Sequence, residues 1–128
     1  MLAVIAMLER GYEQTFEHLC WRQIKAAFQV DQLICVGHDC SDMSGAFELL
    51  EEGYQRVFVV PPGRTNKSVE FGPFVIPTWR SGTAYIFGRP GDNLVRYIVD
   101  ADLAVHITTP GIVDMMAVTV AGIVLHGN

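Results

Sequence analysis

Short, uninterrupted apolar runs alternating with segments of helical spacing are the feature that most restricts the fold of this chain. The first run, residues 2–8 (LAVIAML), contains no polar position, which is typical of a strand buried on both faces. Residues 14–28 then place apolar side chains three and four positions apart, as on one side of a helix. Buried strands that alternate with helices predict a parallel sheet joined by right-handed crossovers.

The remaining elements follow the same alternation along the chain. We predict further strands at 32–36, 56–60, 83–87 and 103–107, and further helices at 43–52 and 91–99. Residues 113–126 form a last apolar segment of ambiguous period, and residues 63–82 form one long irregular stretch that we predict to be a functional loop. We therefore expect a single α/β domain over residues 1–128, with a mostly parallel sheet of five to six strands and helices on both faces.

Composition and charge narrow the class of protein. Half of the 128 residues are hydrophobic, which favours strands buried on both faces or a surface that pairs with another subunit. The net charge of −5 does not favour an RNA-binding surface, although several basic residues fall between positions 56 and 89. No apolar run is long enough to span a bilayer, and an odd count of three cysteines favours a reducing, cytoplasmic compartment.

The segments that follow four of the predicted strands all contain glycine. In parallel sheets, ligands bind beyond the carboxyl ends of the strands, and glycine lets the backbone turn tightly or approach a ligand closely. These four strand ends are residues 37–39, 61–63, 88–91 and 108–111. The sequence therefore predicts a ligand site along this edge of the sheet.

Residues 84–126 resemble the last third of SpoU-type (SPOUT) RNA methyltransferases. That family has a strand ending in F-G-N-E-G-x-G-L, a second strand ending in I-P-M, and a G-x-x-x-S-L-N-V-S-V-A segment that leads into a final apolar helix. The matching positions here are Phe87, Gly88, Gly91 and Leu94 in the first motif, Ile107 in the second, and Gly111 with residues 117–121 in the third. Residues 26–37 and 46–60 match the earlier part of the family pattern more loosely.

The resemblance implies a fold, a cofactor and a reaction. It implies a deep C-terminal trefoil knot, a homodimer with active sites at the subunit interface, and S-adenosylmethionine bound in the knot by the loops at 87–91 and 107–116. The expected reaction is methyl transfer to a ribose 2′-hydroxyl of tRNA or rRNA. The cofactor-binding residues implied by the resemblance are Phe87, Gly88, Gly91, Ile107, Thr109, Gly111 and Met116.

The polar catalytic positions of the family are largely replaced in this chain. Its early N-x-G-x-x-x-R motif falls on Glu17, Leu19 and Gln23, none of which matches. A cation is needed to position the ribose and phosphate, and the candidates are Arg89, Arg22 and Arg80. Arg89 is the first choice because it lies at a strand's carboxyl end, and Arg22 is one residue from the family position. In the irregular stretch, the aromatic ring and the cation of a Trp-Arg pair are candidates for binding the RNA base and backbone. That pair is Trp79 and Arg80.

Two other functions remain open at this point. The motif replacements and the acidic charge fit a non-catalytic dimeric binding or regulatory protein on the same fold. The glycines at the strand ends also fit an unknotted, flavodoxin-like nucleotide-binding protein.

Two histidine positions are interpreted structurally. The residues His38, Asp39 and Cys40 match no zinc-binding spacing, so we predict a polar loop and no metal. His106 alternates with apolar residues and is predicted to be a core or interface histidine.

Overall fold

The computed structural model describes residues 1–9, 14–72, 82–89, 92–111 and 115–127. Within these residues the chain forms six strands, three α-helices and a short 3₁₀ helix. The strands are β1 (Leu2–Met7), β2 (Gln32–Val36), β3 (Gln55–Val59), β4 (Val69–Glu70), β5 (Thr83–Phe87) and β6 (Leu103–His106). The helices are α1 (Gln14–Phe28), α2 (Met43–Leu49), the 3₁₀ helix Leu94–Tyr97 and α3 (Ala117–His126).

All six strands belong to one open, parallel sheet, ordered β2-β1-β5-β3-β6-β4. In β1, next to the edge strand β2, Ile5 pairs with Ile34 on one side and Ile86 on the other. The predicted α/β class and the parallel sheet are therefore confirmed.

Helices cover both faces of the sheet, as predicted, because neighbouring residues of each strand point to opposite faces. On one face, Trp21 of α1 and Val124 of α3 pack with alternate strand residues, and on the other Met43 of α2 and Leu94 pack with the residues between them. The first face takes Val4, Ala6, Val57, Val59, Tyr85 and Phe87, and the second takes Ile5, Met7, Phe58, Val60 and Ile86.

The element boundaries differ from the predicted ones mainly in the helices. Helix α2 ends at Leu49, three residues early, because Leu50 is extended and the Gln32 side chain binds the Leu49 carbonyl and the Glu51 N–H. The helix predicted over 91–99 is only the 3₁₀ turn Leu94–Tyr97, and Ile98 after it is extended. The apolar segment of ambiguous period contains α3, which begins at Ala117.

The irregular stretch contains one element that the sequence did not predict. Strand β4 lies within it and pairs with β6 at the edge of the sheet, with Val69 opposite Val105 and Glu70 opposite His106. The rest of the predicted loop, from residue 73 to 81, lies outside the described residues.

Two helix ends illustrate the local chemistry. Asp42 caps α2, its Oδ1 accepting a hydrogen bond of 2.8 Å from the N–H of Gly45. Helix α1 ends at Phe28, and Gln29 after it has a left-handed φ of 54°; the N–H of Val30 donates to the carbonyl of Lys25 at 3.0 Å. That pattern is a Schellman motif, in which glycine usually occupies the left-handed position.

In the described part of the chain, no helix has the length and apolar character needed to cross a bilayer.

Candidate functional site

A cavity of about 650 Å³ lies at the carboxyl edge of the sheet, within the range of small-molecule binding sites. It is formed where β3, β5 and β6 end side by side, because the carboxyl ends of neighbouring parallel strands meet at the same edge. The 3₁₀ helix and α3 close its sides. Its lining residues are Val59, Val60, Pro61, Pro62, Arg64, Phe87, Gly88, Arg89, Asp92, Asn93, Leu94, Val95, Ile107, Thr108, Thr109, Gly111, Met115, Ala117 and Val120.

Part of the cavity wall is apolar. Val59 and Phe87 are the last residues of β3 and β5, Leu94 begins the 3₁₀ helix, and Ala117 and Val120 come from the first turn of α3. Such walls suit a flat, weakly polar group such as a nucleobase, whose burial removes apolar surface from water.

One charged group on the cavity wall, Arg89, is held by internal contacts. Its Nη1 donates a hydrogen bond of 3.0 Å to the carbonyl of Leu8, just beyond β1. Its Nε lies 3.4 Å from Asp92 Oδ2, and Arg96 Nη2 lies 3.6 Å from the other oxygen of the same carboxylate. Arg89 therefore ties the loop after β5 to the neighbouring strand, and only its Nη2 lacks a partner among the described residues.

The structure brings six of the predicted site residues together around this cavity: Phe87, Gly88, Arg89, Ile107, Thr109 and Gly111. Met116 does not line it. Met115 does so instead, and the Met116 side chain is 57 % exposed at the N-cap of α3. Arg22 is an exposed residue of α1 and is also not part of the lining. The predicted residues Gly91, Trp79 and Arg80 lie outside the described residues.

Neither the backbone conformation at Gly88 nor the packing around it requires a glycine at this position. Its φ is not positive, and a Cβ built there would meet Leu94 at an ordinary contact distance of 3.5 Å. Its missing side chain therefore leaves backbone accessible next to the cavity, where a ligand could contact it.

The prediction of site residues missed Arg64, which follows β3 by five residues. The signal that could have identified it is the Pro61-Pro62-Gly63 sequence, which predicts a tight turn directly after a buried strand.

A second polar cluster lies beside the cavity, between β4 and β6. Ser68 Oγ is 2.8 Å from His106 Nδ1, and His106 Nε2 is 3.1 Å from Glu70 Oε2. Thr108 donates to Glu70 from its N–H at 2.9 Å and from its hydroxyl at 2.7 Å. These bonds from Thr108, with the nearby His106 ring, lower the pKa of the Glu70 carboxyl. His106 is thus a half-buried, hydrogen-bonded residue that holds the short edge strand in place.

A third cluster follows β2. The rings of His18 and His38 stack with centroids 3.9 Å apart, and His38 Nδ1 lies 3.0 Å from Asp39 Oδ1. Burial acts to raise the pKa of Asp39, but the hydrogen bond from the Cys35 N–H and the His38 ring outweigh it, so the pKa is lowered. Burial also raises the pKa of the Cys35 thiol to about 12, which keeps that thiol protonated and unreactive.

None of these clusters is a metal site. Over the described ranges, no group of three His, Cys, Asp or Glu side chains has an arrangement that could hold a metal ion.

The fold and the cavity define an α/β protein with an open parallel sheet and a small-molecule cavity at the carboxyl ends of its strands. No known family model matches the chain, and no curated protein matches it in a sequence search.

Proposed function

We propose that this chain is a diverged, minimal SpoU-type protein that binds S-adenosylmethionine in the cavity at the ends of β3, β5 and β6. The observation that supports this proposal is the convergence of five residues, expected from sequence motifs that lie up to 24 positions apart, around one cavity. These are Phe87, Gly88, Ile107, Thr109 and Gly111. On this proposal the segment around α3 forms the trefoil knot of the family.

The cavity has the chemistry that the cofactor requires. The apolar part of its wall suits the adenine ring, and backbone at Gly88 is accessible for hydrogen bonds to the ring edge and ribose. The cofactor would supply the methyl group for transfer to a ribose 2′-hydroxyl of tRNA or rRNA.

Thermal unfolding with added ligand tests the cofactor. S-adenosylmethionine or S-adenosylhomocysteine should raise the melting temperature, because a ligand that binds only the folded state stabilises it. The Val120→Phe variant should lose most of this shift, because Val120 lies on the cavity wall. Val99→Phe is the matched control, since it makes the same change at a valine that is 56 % exposed and does not line the cavity. No shift with the wild-type protein at millimolar ligand would contradict the proposal.

Of the two candidate catalytic cations that lie in the described residues, Arg89 is the better placed. It lines the cavity and keeps Nη2 free of described protein partners, whereas Arg22 is not part of the lining. Replacing Arg89 with Ala should lower methyl transfer by about a hundredfold, the usual scale for the loss of one charge-stabilising group. The measurement is the incorporation of labelled methyl groups into total tRNA or rRNA.

A non-catalytic binding protein on the same fold is the second candidate. The contacts of Arg89 favour this candidate. Two of the three guanidinium nitrogens, Nη1 and Nε, already contact groups of the protein and not a substrate. Cofactor binding without any transfer of labelled methyl groups to RNA would support this candidate over the enzyme.

We also propose a homodimer that uses the outer side of α1 and α3. These helices pack against each other, and each exposes apolar side chains: Phe16, which is 71 % exposed, and Leu19 on α1, with Ile123 on α3. The dimer should bury more than about 1,000 Å² in total. Light scattering should show a dimer that Phe16→Glu dissociates. Leu49→Glu, which also puts a charge on an exposed apolar residue (Leu49 of α2 is 48 % exposed), should not dissociate it. A monomeric wild-type protein at micromolar concentration would contradict the dimer.

A further inference from the structure

The turn after β3 places a cation, Arg64, on the wall of the cavity. The N–H of Arg64 lies 3.4 Å from the carbonyl of Pro61, and Gly63 between them has a φ of +80°. Proline at the second position and a positive-φ glycine at the third are the pattern of a type II β-turn. Because proline fixes one dihedral angle and only glycine adopts the other without strain, the turn is rigid and Arg64 is held at its last position.

Within the part of the chain that the structure describes, Arg64 is a charged group of the cavity wall without an ion-pair partner. The lining includes two arginines and one aspartate, and Asp92 is already paired with Arg89 and with Arg96. No carboxylate among the described residues forms an ion pair with Arg64. The cavity therefore presents an unpaired guanidinium in a chain whose net charge is −5, which favours a ligand with an anionic group.

We infer that Arg64 binds the carboxylate of the amino-acid part of the cofactor, while the apolar end of the cavity takes the adenosine part. This inference rests on the proposed function, because it assigns one side chain to the ligand proposed there. A guanidinium can hold a carboxylate through two parallel hydrogen bonds, which fixes its orientation as well as its charge. Arg64 thus selects nucleosides that carry a carboxylate over those that do not.

Two ligands that differ only in the amino-acid part of the cofactor provide the test. S-adenosylhomocysteine has the amino-acid carboxylate, whereas 5′-methylthioadenosine keeps the adenosine and the sulfur but lacks it. Titration calorimetry should show that Arg64→Gln weakens S-adenosylhomocysteine by about 10- to 100-fold, the value of a hydrogen bond to a charged group. Binding of 5′-methylthioadenosine should change by less than about twofold, since no charged contact is lost.

Lys67→Gln is the matched control, because it removes the same charge from the same exposed loop at a residue outside the cavity. It should leave both affinities unchanged. Equal weakening of both ligands by Arg64→Gln, or no weakening of either, would overturn the assignment of Arg64 while leaving the cofactor proposal intact. If neither ligand binds the wild-type protein, the proposed function fails and this inference fails with it.

A phosphate of bound RNA is the other anion that Arg64 could contact. Binding of total tRNA to Arg64→Gln, measured beside the calorimetry, separates the two. Weaker tRNA binding with unchanged S-adenosylhomocysteine binding would assign Arg64 to phosphate and overturn the carboxylate assignment.

Discussion

Arg56 Nη2 lies 3.0 Å from Asp102 Oδ2, a carboxylate whose side chain is only 4 % exposed. The same guanidinium stacks over the Phe47 ring at 3.9 Å and donates to the carbonyl of Tyr97 at 3.2 Å. Asp102 also accepts a hydrogen bond of 2.9 Å from the N–H of Val99. The pair therefore joins the start of β3 to the turn before β6.

Removing the Asp102 carboxylate should destabilise the folded protein. Asp102→Ala leaves the Arg56 charge largely buried without its partner, so we expect the free energy of unfolding to fall by about 3 kcal/mol. Urea denaturation measures this change. Asp100→Ala, an exposed aspartate two residues away, should change stability by less than about 0.5 kcal/mol. Equal effects of the two variants would show that the ion pair contributes little.

Stability in acid should depend on Glu70. Its pKa is lowered in the folded state by the two bonds from Thr108, so its stabilising effect is complete above its ordinary pKa of 4.5. The effect is lost as the pH falls through the lower pKa of the folded state. Urea denaturation at about pH 5.5 and about pH 3.5 should show a smaller loss of stability for Glu70→Gln than for the wild type. Glu48→Gln, a change at an exposed carboxylate of α2, should retain the wild-type loss.

From the stacked rings of His18 and His38 we expect a second, weaker dependence of folding stability on pH. Burial, with repulsion from His38, lowers the pKa of His18 below its ordinary 6.5. The unfolded chain then binds more protons than the folded chain, so stability is complete above pH 6.5 and falls as the pH drops through the lower folded pKa. His18→Phe keeps a stacked ring without the charge and should reduce this loss between about pH 7.5 and about pH 5.5. His126→Phe, at the exposed end of α3, is the control. An unchanged loss in His18→Phe would show that the stack does not couple to protonation.

Replacing Gln29 with glycine should stabilise the protein. Gln29 holds a left-handed φ of 54° at the end of α1, a conformation that glycine adopts without the steric cost of a Cβ. We expect a gain of about 0.5–1 kcal/mol, with the melting temperature of the variant as the measurement. Gln23→Gly, in the middle of the same helix, should instead cost about 1 kcal/mol.

The sequence predicted those elements whose side chains carry a strong local pattern. Strand β1, and β5 after its first residue, carry large apolar side chains because both faces are buried, and the end of β5 places Phe87 and Gly88 at the cavity. Strand β4 could not be predicted, because Val69 and Glu70 are both exposed and form a strand only through pairing with β6.

The finer features of the site depend on contacts between distant segments. Met115 rather than Met116 faces the cavity because the position of the first turn of α3 sets the direction of each side chain, and apolar content alone does not reveal it. The bond from Arg89 to Leu8 exists because β5 lies next to β1 in the sheet, an adjacency that the order of elements along the chain does not specify.

The position of β5 between β1 and β3 has a consequence for synthesis on the ribosome. Strands β1 and β2 can pair early, but β3 has no native neighbour until residues 83–87 emerge, because β5 joins the two halves and β6 comes later still. Until then Val57 and Phe58, which are fully buried in the finished fold, are part of a strand with both edges open. A nascent chain stalled before β5 is therefore expected to recruit chaperones or aggregate, whereas one stalled after β6 has a continuous sheet.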